Sequence, residues 1–364
     1  MAVKNGYRVF DCDGHVVEDD AELFEYLESP FKGHTELLTE PLFPPMDRVH
    51  RMARAVLDTH IEETQGKKNG GPKIGIEISK EPWADKWLKV LDAGGIEETV
   101  LYPTYGLGFG FVWEPEWAVG LAKAYNSWFY DRYFKINSRL HGMALLPLQS
   151  PAEAVEELRR AVTKLGMVGG ILPGAGLKRP LGDQFYFPIY QAAQELEVPL
   201  AVHAGAAQGM GLDIFERSME ARTLSHSFGQ IIQLTSLMFS GVFDLFPRLR
   251  MAFLEGGVAW VPFLLERMQR AYKLWRVQAP ELKREPREHL TSGRIFFHAE
   301  LEDPFLSSLA STLGDQCLMY ASDFPHEPAK EVLHDLREFQ ERTDLAEELK
   351  RRYLGENARR LYKL

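Results

Sequence analysis

Short apolar runs rich in Val, Ile and Leu alternate, from Tyr7 onward, with longer stretches whose apolar residues recur every three or four positions. The first kind of segment reads as buried parallel strand and the second as amphipathic helix, so the alternation predicts βα units. Eight strands are predicted, over 7–12, 98–102, 140–146, 168–172, 200–203, 251–254, 294–298 and 317–321. Helices are predicted over 116–137, 152–165, 187–197, 230–239 and 260–274. In the second of these, Ser150-Pro151 reads as N-cap and first-turn proline, and Val155, Leu158, Val162 and Leu165 form one apolar face. Eight alternations favour an α/β fold of the (β/α)8 TIM-barrel type over an open doubly wound sheet. No G-x-G-x-x-G turn follows the first strand, which weakens a dinucleotide-binding alternative.

The spacing is uneven. About 85 residues separate the first two strands, where a βα loop and its helix need far fewer. Residues 19–96 therefore read as an insertion within one barrel domain spanning 1–364, with a helix predicted over 46–64, a Gly- and Lys-rich stretch over 66–71, and Trp83 and Trp87 beyond. A second long loop, 204–224, follows the fifth strand. Both leave strand C-terminal ends, so they are expected either to wall a pocket or to serve as decoration or contacts between copies, and a homo-oligomer is expected. Tyr105, Phe109, Phe111, Trp113 and Trp117 either line an apolar wall of that pocket or belong to the core. A chain of 364 residues exceeds a barrel of about 250 by about 110, which the insertions absorb, and a helical C-terminus follows the last strand.

Composition narrows the partners. With 45% apolar and 26% charged residues the chain is globular. Its 52 acidic against 42 basic residues give a net charge of −10, which argues against nucleic acid and anionic membranes. Cys12 and Cys317 are far apart in strand-like segments, a poor disulfide framework, so a cytoplasmic location is expected. Neither a signal peptide nor a membrane span is expected.

The chemistry gathers where a barrel points its side chains into one mouth, at the C-terminal ends of the strands. Strand one runs into Asp11-Cys12-Asp13-Gly14-His15, strand five ends at His203, strand six at Glu255 and strand eight at Asp323. Asp13, His15, His203 and Asp323 make an oxygen and nitrogen ligand set suited to a divalent ion such as Zn, Fe or Mn. Asp13 and His15, two apart, share one face of an extended strand, with Asp11 in the same phase one step deeper. Each residue also has a plainer reading. Asp13 and His15 could bond a loop at a polar strand end, His203 could be a core histidine, and Asp323 could cap a helix. All four plain readings would have to fall together on strand ends of one barrel.

With these residues in view, the sequence resembles the amidohydrolase superfamily, in the branch that includes aminocarboxymuconate semialdehyde decarboxylase. The resemblance spans nearly the whole chain. It rests on Phe10-Asp11-Cys12-Asp13-Gly14-His15, on Pro199 to His203, on Gly241 to Leu249, on Glu255-Gly256-Gly257 with Trp260-Val261-Pro262, on Tyr320 to His326, and on Gly355 to Tyr362. It implies that Asp13, His15, His203 and Asp323 bind a catalytic metal, and that Asp323 also holds the reactive water or moves a proton. Two departures stand out. Asp13 replaces a histidine common in the superfamily, and Glu255 replaces the histidine usual in the decarboxylases.

Glu255 could act as general base or bridge to a second ion with His226 as a further ligand, while the plainer readings are a carboxylate capping the Gly-Gly turn and a histidine in a helix cap. His298, His326 and Glu18 are secondary candidates. The expected activity is metal-dependent hydrolysis of an ester, thioester, amide or carbon–carbon acyl bond in a small organic acid derivative, with Asp323 or Glu255 taking a proton from water. One alternative is non-oxidative decarboxylation of an aromatic or enoic acid, for which His226 is the candidate proton donor. Another is a catalytically silent barrel used for binding or assembly.

Overall fold

The computed structural model describes residues 6–44, 83–205 and 208–364. The predicted helix over 46–64 and the Gly- and Lys-rich stretch lie outside them. Eight parallel strands run in sequence order: β1 Val9–His15, β2 Ile96–Tyr102, β3 Leu140–Leu145, β4 Gly169–Pro173, β5 Leu200–His203, β6 Met251–Leu254, β7 Ile295–His298 and β8 Leu318–Met319. Helices alternate with them, and the architecture is the expected (β/α)8 barrel.

The sheet comes round on itself through backbone bonds between β1 and the chain following β8. Cys12 N–H donates to Tyr320 O at 3.1 Å, Asp323 N–H to Asp13 O at 3.0 Å, and His15 N–H to Phe324 O at 2.8 Å. This seam fixes Asp13, His15 and Asp323 relative to one another with main-chain rather than side-chain bonds.

Two strand boundaries differ from the sequence pattern for identifiable reasons. β1 continues through the polar Asp13-Gly14-His15, because Gly14 and His15 pair with Leu101 and Tyr102 across a register irregularity after Asp11. β8 is shorter than predicted because Tyr320 N–H turns to Tyr353 O at 3.0 Å. Helix Ser218–Phe239 begins twelve residues before the predicted 230. Before Gln230 its buried positions are Ala221, Ser225 and Gly229 rather than large apolar residues, so the hydrophobic period is weak there. The predicted loop over 204–224 is correspondingly shorter. The predicted helix over 116–137 ends as α-helix at Phe129 and closes in a π-type turn, Tyr130–Phe134.

Helix Trp83–Gly94 packs against β2, so the end of the 19–96 segment supplies an ordinary barrel helix. Trp87 is fully buried, donates Nε1–H to His15 O at 2.9 Å and meets Phe324 edge-on with centroids 4.9 Å apart. A Cβ on Gly14 would lie 2.2 Å from the Trp87 ring, so only glycine lets the indole pack under the end of β1. The helical C-terminus is also fastened to the barrel. Asn357 Nδ2–H bonds Leu318 O at 2.8 Å, and Tyr362 O–H donates to Cys12 O at 3.0 Å. No helix among the described residues is long and apolar enough to cross a membrane.

Candidate metal centre at the barrel mouth

Asp13, His15 and His203 are buried and bring one ligand atom each within 4.8 Å of one another; His15, Asp323 and His326 do the same. The two groups share His15. Its Nε2 lies 3.6 Å from Asp13 Oδ1 and 3.2 Å from Asp323 Oδ1, while His203 Nε2 lies 3.1 Å from Asp13 Oδ1. Residues from strands one and five and from the segment after strand eight are thus linked through His15.

The outer ring nitrogens fix which atoms face inward. His15 Nδ1 is 2.9 Å from Pro103 O and His203 Nδ1 is 2.8 Å from Ala204 O. A carbonyl accepts, so each Nδ1 carries a proton and each Nε2 is turned towards the carboxylates, the orientation a metal ligand requires. His15 Nε2 and Asp13 Oδ2 are buried without a hydrogen-bond partner. Two orphaned acceptors in one buried place fit a cation, and the N2O2 donor set fits a divalent transition metal.

Charge follows the same geometry. Burial disfavours a charged His203 ring, but Asp13 and Glu255 outweigh it and push its pKa up to about 9. Burial likewise opposes the charge on Asp323, yet bonds to His15 and His326 hold that carboxyl well below the usual range. Asp323 also has a left-handed backbone, φ 50°, as does Glu255, φ 56°. Such conformations are uncommon for these residues and cluster at functional sites.

Asp11, in phase with Asp13, does a different job. It accepts from Ser322 N–H at 2.8 Å, Ser322 Oγ–H at 2.7 Å and Thr99 Oγ1–H at 2.8 Å, tying β1 to β2 and to the segment after β8. Burial pushes its carboxyl up to about 6, against the pull of those donors. Glu18 neither faces the ligands nor caps the following helix, whose cap is Asp19. It accepts the N–H groups of Thr104, Tyr105 and Gly106 at 2.9 to 3.1 Å and so shapes the loop after β2.

His326 belongs closer to the centre than sequence reasoning placed it. Its Nδ1 is 2.9 Å from Asp323 Oδ1, its Nε2 is 3.0 Å from Thr104 Oγ1, and its ring stacks on His15 at 4.0 Å. The three-residue spacing from Asp323 was the available signal. His226 lies well inside the helix 218–239 instead of in a cap, with Nε2 3.6 Å from Glu255 Oε1. Glu255 Oε2 is 3.4 Å from His203 Nδ1. Among the described residues, neither His226 nor Glu255 joins the two ligand groups.

A cavity of about 500 Å³ opens beside these residues, lined by Arg222, His226, Glu255, His298 and Asp323 among others. Of the aromatic residues after β2, Phe109 and Phe111 are buried core, whereas Tyr105 and Trp113 are exposed. None of the five lines this cavity.

The amidohydrolase family model matches residues 79–364. The chain belongs to the amidohydrolase family. It is 25% identical over 297 residues to a 2-amino-3-carboxymuconate-6-semialdehyde decarboxylase from Dictyostelium discoideum, covering 79% of this chain and 78% of that protein. It is 29% identical over 259 residues to a gamma-resorcylate decarboxylase from Rhodococcus jostii, covering 67% and 77%. Among solved structures, 5-carboxyvanillate decarboxylase from Novosphingobium aromaticivorans, complexed with manganese and 4-hydroxy-3-methoxy-5-nitrobenzoic acid, superposes with TM-score 0.73 at 19% identity, covering 100% of this chain and 98% of that one. Within this amidohydrolase family the curated relatives just named are decarboxylases, which shifts the weight from hydrolysis, the first expectation, to the decarboxylase alternative.

Proposed function

We propose that the protein is a divalent-metal-dependent, non-oxidative decarboxylase of an aromatic or enoic acid. The observation that carries this reading is the pair of ligand groups sharing His15, one with Asp13 and His203 and one with Asp323 and His326, beside a cavity that Asp323 lines, in a chain similar to two named decarboxylases. When bound there, a divalent ion would polarise an oxygen of the substrate and neutralise developing negative charge.

The chain's own residues supply the rest. Arg222 is the one Lys or Arg among the described residues lining the cavity, and it suits the carboxylate of an incoming acid. Glu300, Glu302, Glu327 and Asp335 also line the cavity and repel further negative charge, which favours a substrate with a single carboxylate. As the bond to the carboxyl carbon breaks, its electron pair stays on the ring or alkene carbon, which must take up a proton. His226, lining the cavity with its Nε2 3.6 Å from Glu255 Oε1, supports the role of proton donor.

A second reading rests on Glu255 itself. A carboxylate with a buried, unpartnered Oε2 next to His203 is placed to take a proton from water, as hydrolysis or hydration would need. Incubating manganese-loaded protein with carboxyl-labelled gamma-resorcylate and related monohydroxy- and dihydroxybenzoates separates the two. Release of labelled carbon dioxide is the expected result. Turnover of aryl esters or acyl thioesters without carbon dioxide release would favour the second reading.

A further inference from the structure

His298 ends β7, is 3% exposed, and lines the cavity beside Glu255. The ring has one hydrogen bond to the protein: Glu255 N–H points at its Nδ1 at 3.3 Å. A backbone N–H can only donate, so Nδ1 must carry a lone pair. This excludes the imidazolium form and the Nδ1-protonated tautomer together, and leaves the proton on Nε2. That Nε2 is buried and has no hydrogen-bond partner, the nearest carboxylate oxygen, Glu300 Oε2, being 3.8 Å away. The arrangement is opposite to that of His15 and His203, whose Nδ1 atoms face carbonyls and whose Nε2 atoms face the ligand cluster. His298 is therefore the wrong tautomer for a metal ligand on its inner nitrogen and the right one for a hydrogen-bond donor. The Tyr320 hydroxyl is fully buried, also unpartnered, and lines the same cavity. Two orphaned polar groups in one cavity are costly unless something there satisfies them.

We propose that His298 is a substrate-contacting residue, its Nε2–H donating a hydrogen bond to a hydroxyl, keto or carboxylate oxygen of the ligand in the cavity, with Tyr320 as a second polar contact. The identity of that oxygen-bearing ligand as a carboxylic acid rests on the decarboxylase reading; the donor assignment rests on the ring's own bonds. The geometry also explains how the donor is aimed. Glu255 sits at left-handed φ directly after β6, and its N–H holds the imidazole from behind.

The test uses full-length protein in two arms. In the first, two-bond nitrogen–proton spectra of protein labelled with ¹⁵N-histidine report the tautomer of His298, identified by its loss in His298→Asn. A neutral ring protonated on Nε2 at pH 7 is expected; an imidazolium or Nδ1-protonated ring overturns the proposal whatever the ligand. In the second, calorimetry measures gamma-resorcylate binding to manganese-loaded wild type, His298→Asn and His298→Gln. Asn can keep an acceptor near the Nδ1 position but has no group at Nε2, whereas the Gln amide reaches that position with a donor. Binding weakened about tenfold or more in the Asn variant and partly recovered in the Gln variant is expected. Equal affinity of wild type and His298→Asn overturns the contact. If wild type does not bind gamma-resorcylate, it is the decarboxylase reading that suffers, and the tautomer alone then decides the assignment of the donor.

Discussion

His203 Nε2 lies 3.1 Å from Asp13 Oδ1, across 190 positions of sequence. In the metal-free protein a proton fills that gap, because Asp13 and Glu255 overcome burial and push the imidazole up to about 9. A divalent cation must displace this proton to reach the nitrogen, so metal binding at neutral pH should release protons and tighten as pH rises. Calorimetric titration of metal-free protein with Mn²⁺ in two buffers of different ionisation enthalpy counts them. Asp13→Ala should weaken metal affinity by more than about tenfold; wild-type affinity in this variant would exclude Asp13 as a ligand.

Gly14 and Trp87 are complementary. A methyl group at Gly14 would meet the indole at 2.2 Å, and the indole is itself fixed by His15 O and Phe324. Gly14→Ala should lower stability by about 1–3 kcal/mol, the usual range for overpacking, and should reduce metal content by displacing His15. Denaturant midpoints and elemental analysis read the two effects. An alanine variant with unchanged stability and full metal content would show that the indole yields freely.

Glu18 gives a pH signature away from the metal. Burial pushes its carboxyl up to about 7, although three N–H donors favour the ionised form. A carboxyl whose pKa is higher folded than unfolded binds its proton more tightly in the folded chain. The resulting stabilisation is complete below the ordinary value of 4.5 and is lost as pH rises through about 7. Glu18→Gln does not titrate, so the stability of wild type relative to this variant should fall between pH 4.5 and 8, by up to roughly 3 kcal/mol. Urea midpoints at the two pH values test it, and a constant difference would contradict it.

Glu255→Gln keeps the shape of the side chain and removes its charge. Carbon dioxide release should fall by about 10²- to 10⁴-fold if the carboxylate assists proton transfer from His226, while metal content should match wild type. A proportional loss of metal would instead assign Glu255 to a second ion.

The barrel was legible in the sequence because buried strands and amphipathic helices carry opposite periodicities, and strand ends can be located from where those runs stop. The same logic placed Asp13, His15, His203 and Asp323 at one mouth. It worked less well where function replaces apolar residues with polar ones. Helix 218–239 hid its first three turns behind Ala221 and Ser225, and with them the setting of His226. β1 looked finished at Cys12 because its last residues, Asp13-Gly14-His15, are not apolar. Tautomers were beyond reach altogether: the opposed orientations of His203 and His298 depend on Ala204 O and Glu255 N–H, which periodicity does not reveal.

Asp13, His15, His203 and Asp323, from three strand ends, are proposed to hold one divalent ion. Crystals grown with Mn²⁺ and measured on both sides of the manganese absorption edge test it most directly. One anomalous peak bonded to Asp13, His15, His203 and Asp323 is predicted; a fully occupied peak elsewhere, or none at saturating Mn²⁺, would contradict the account.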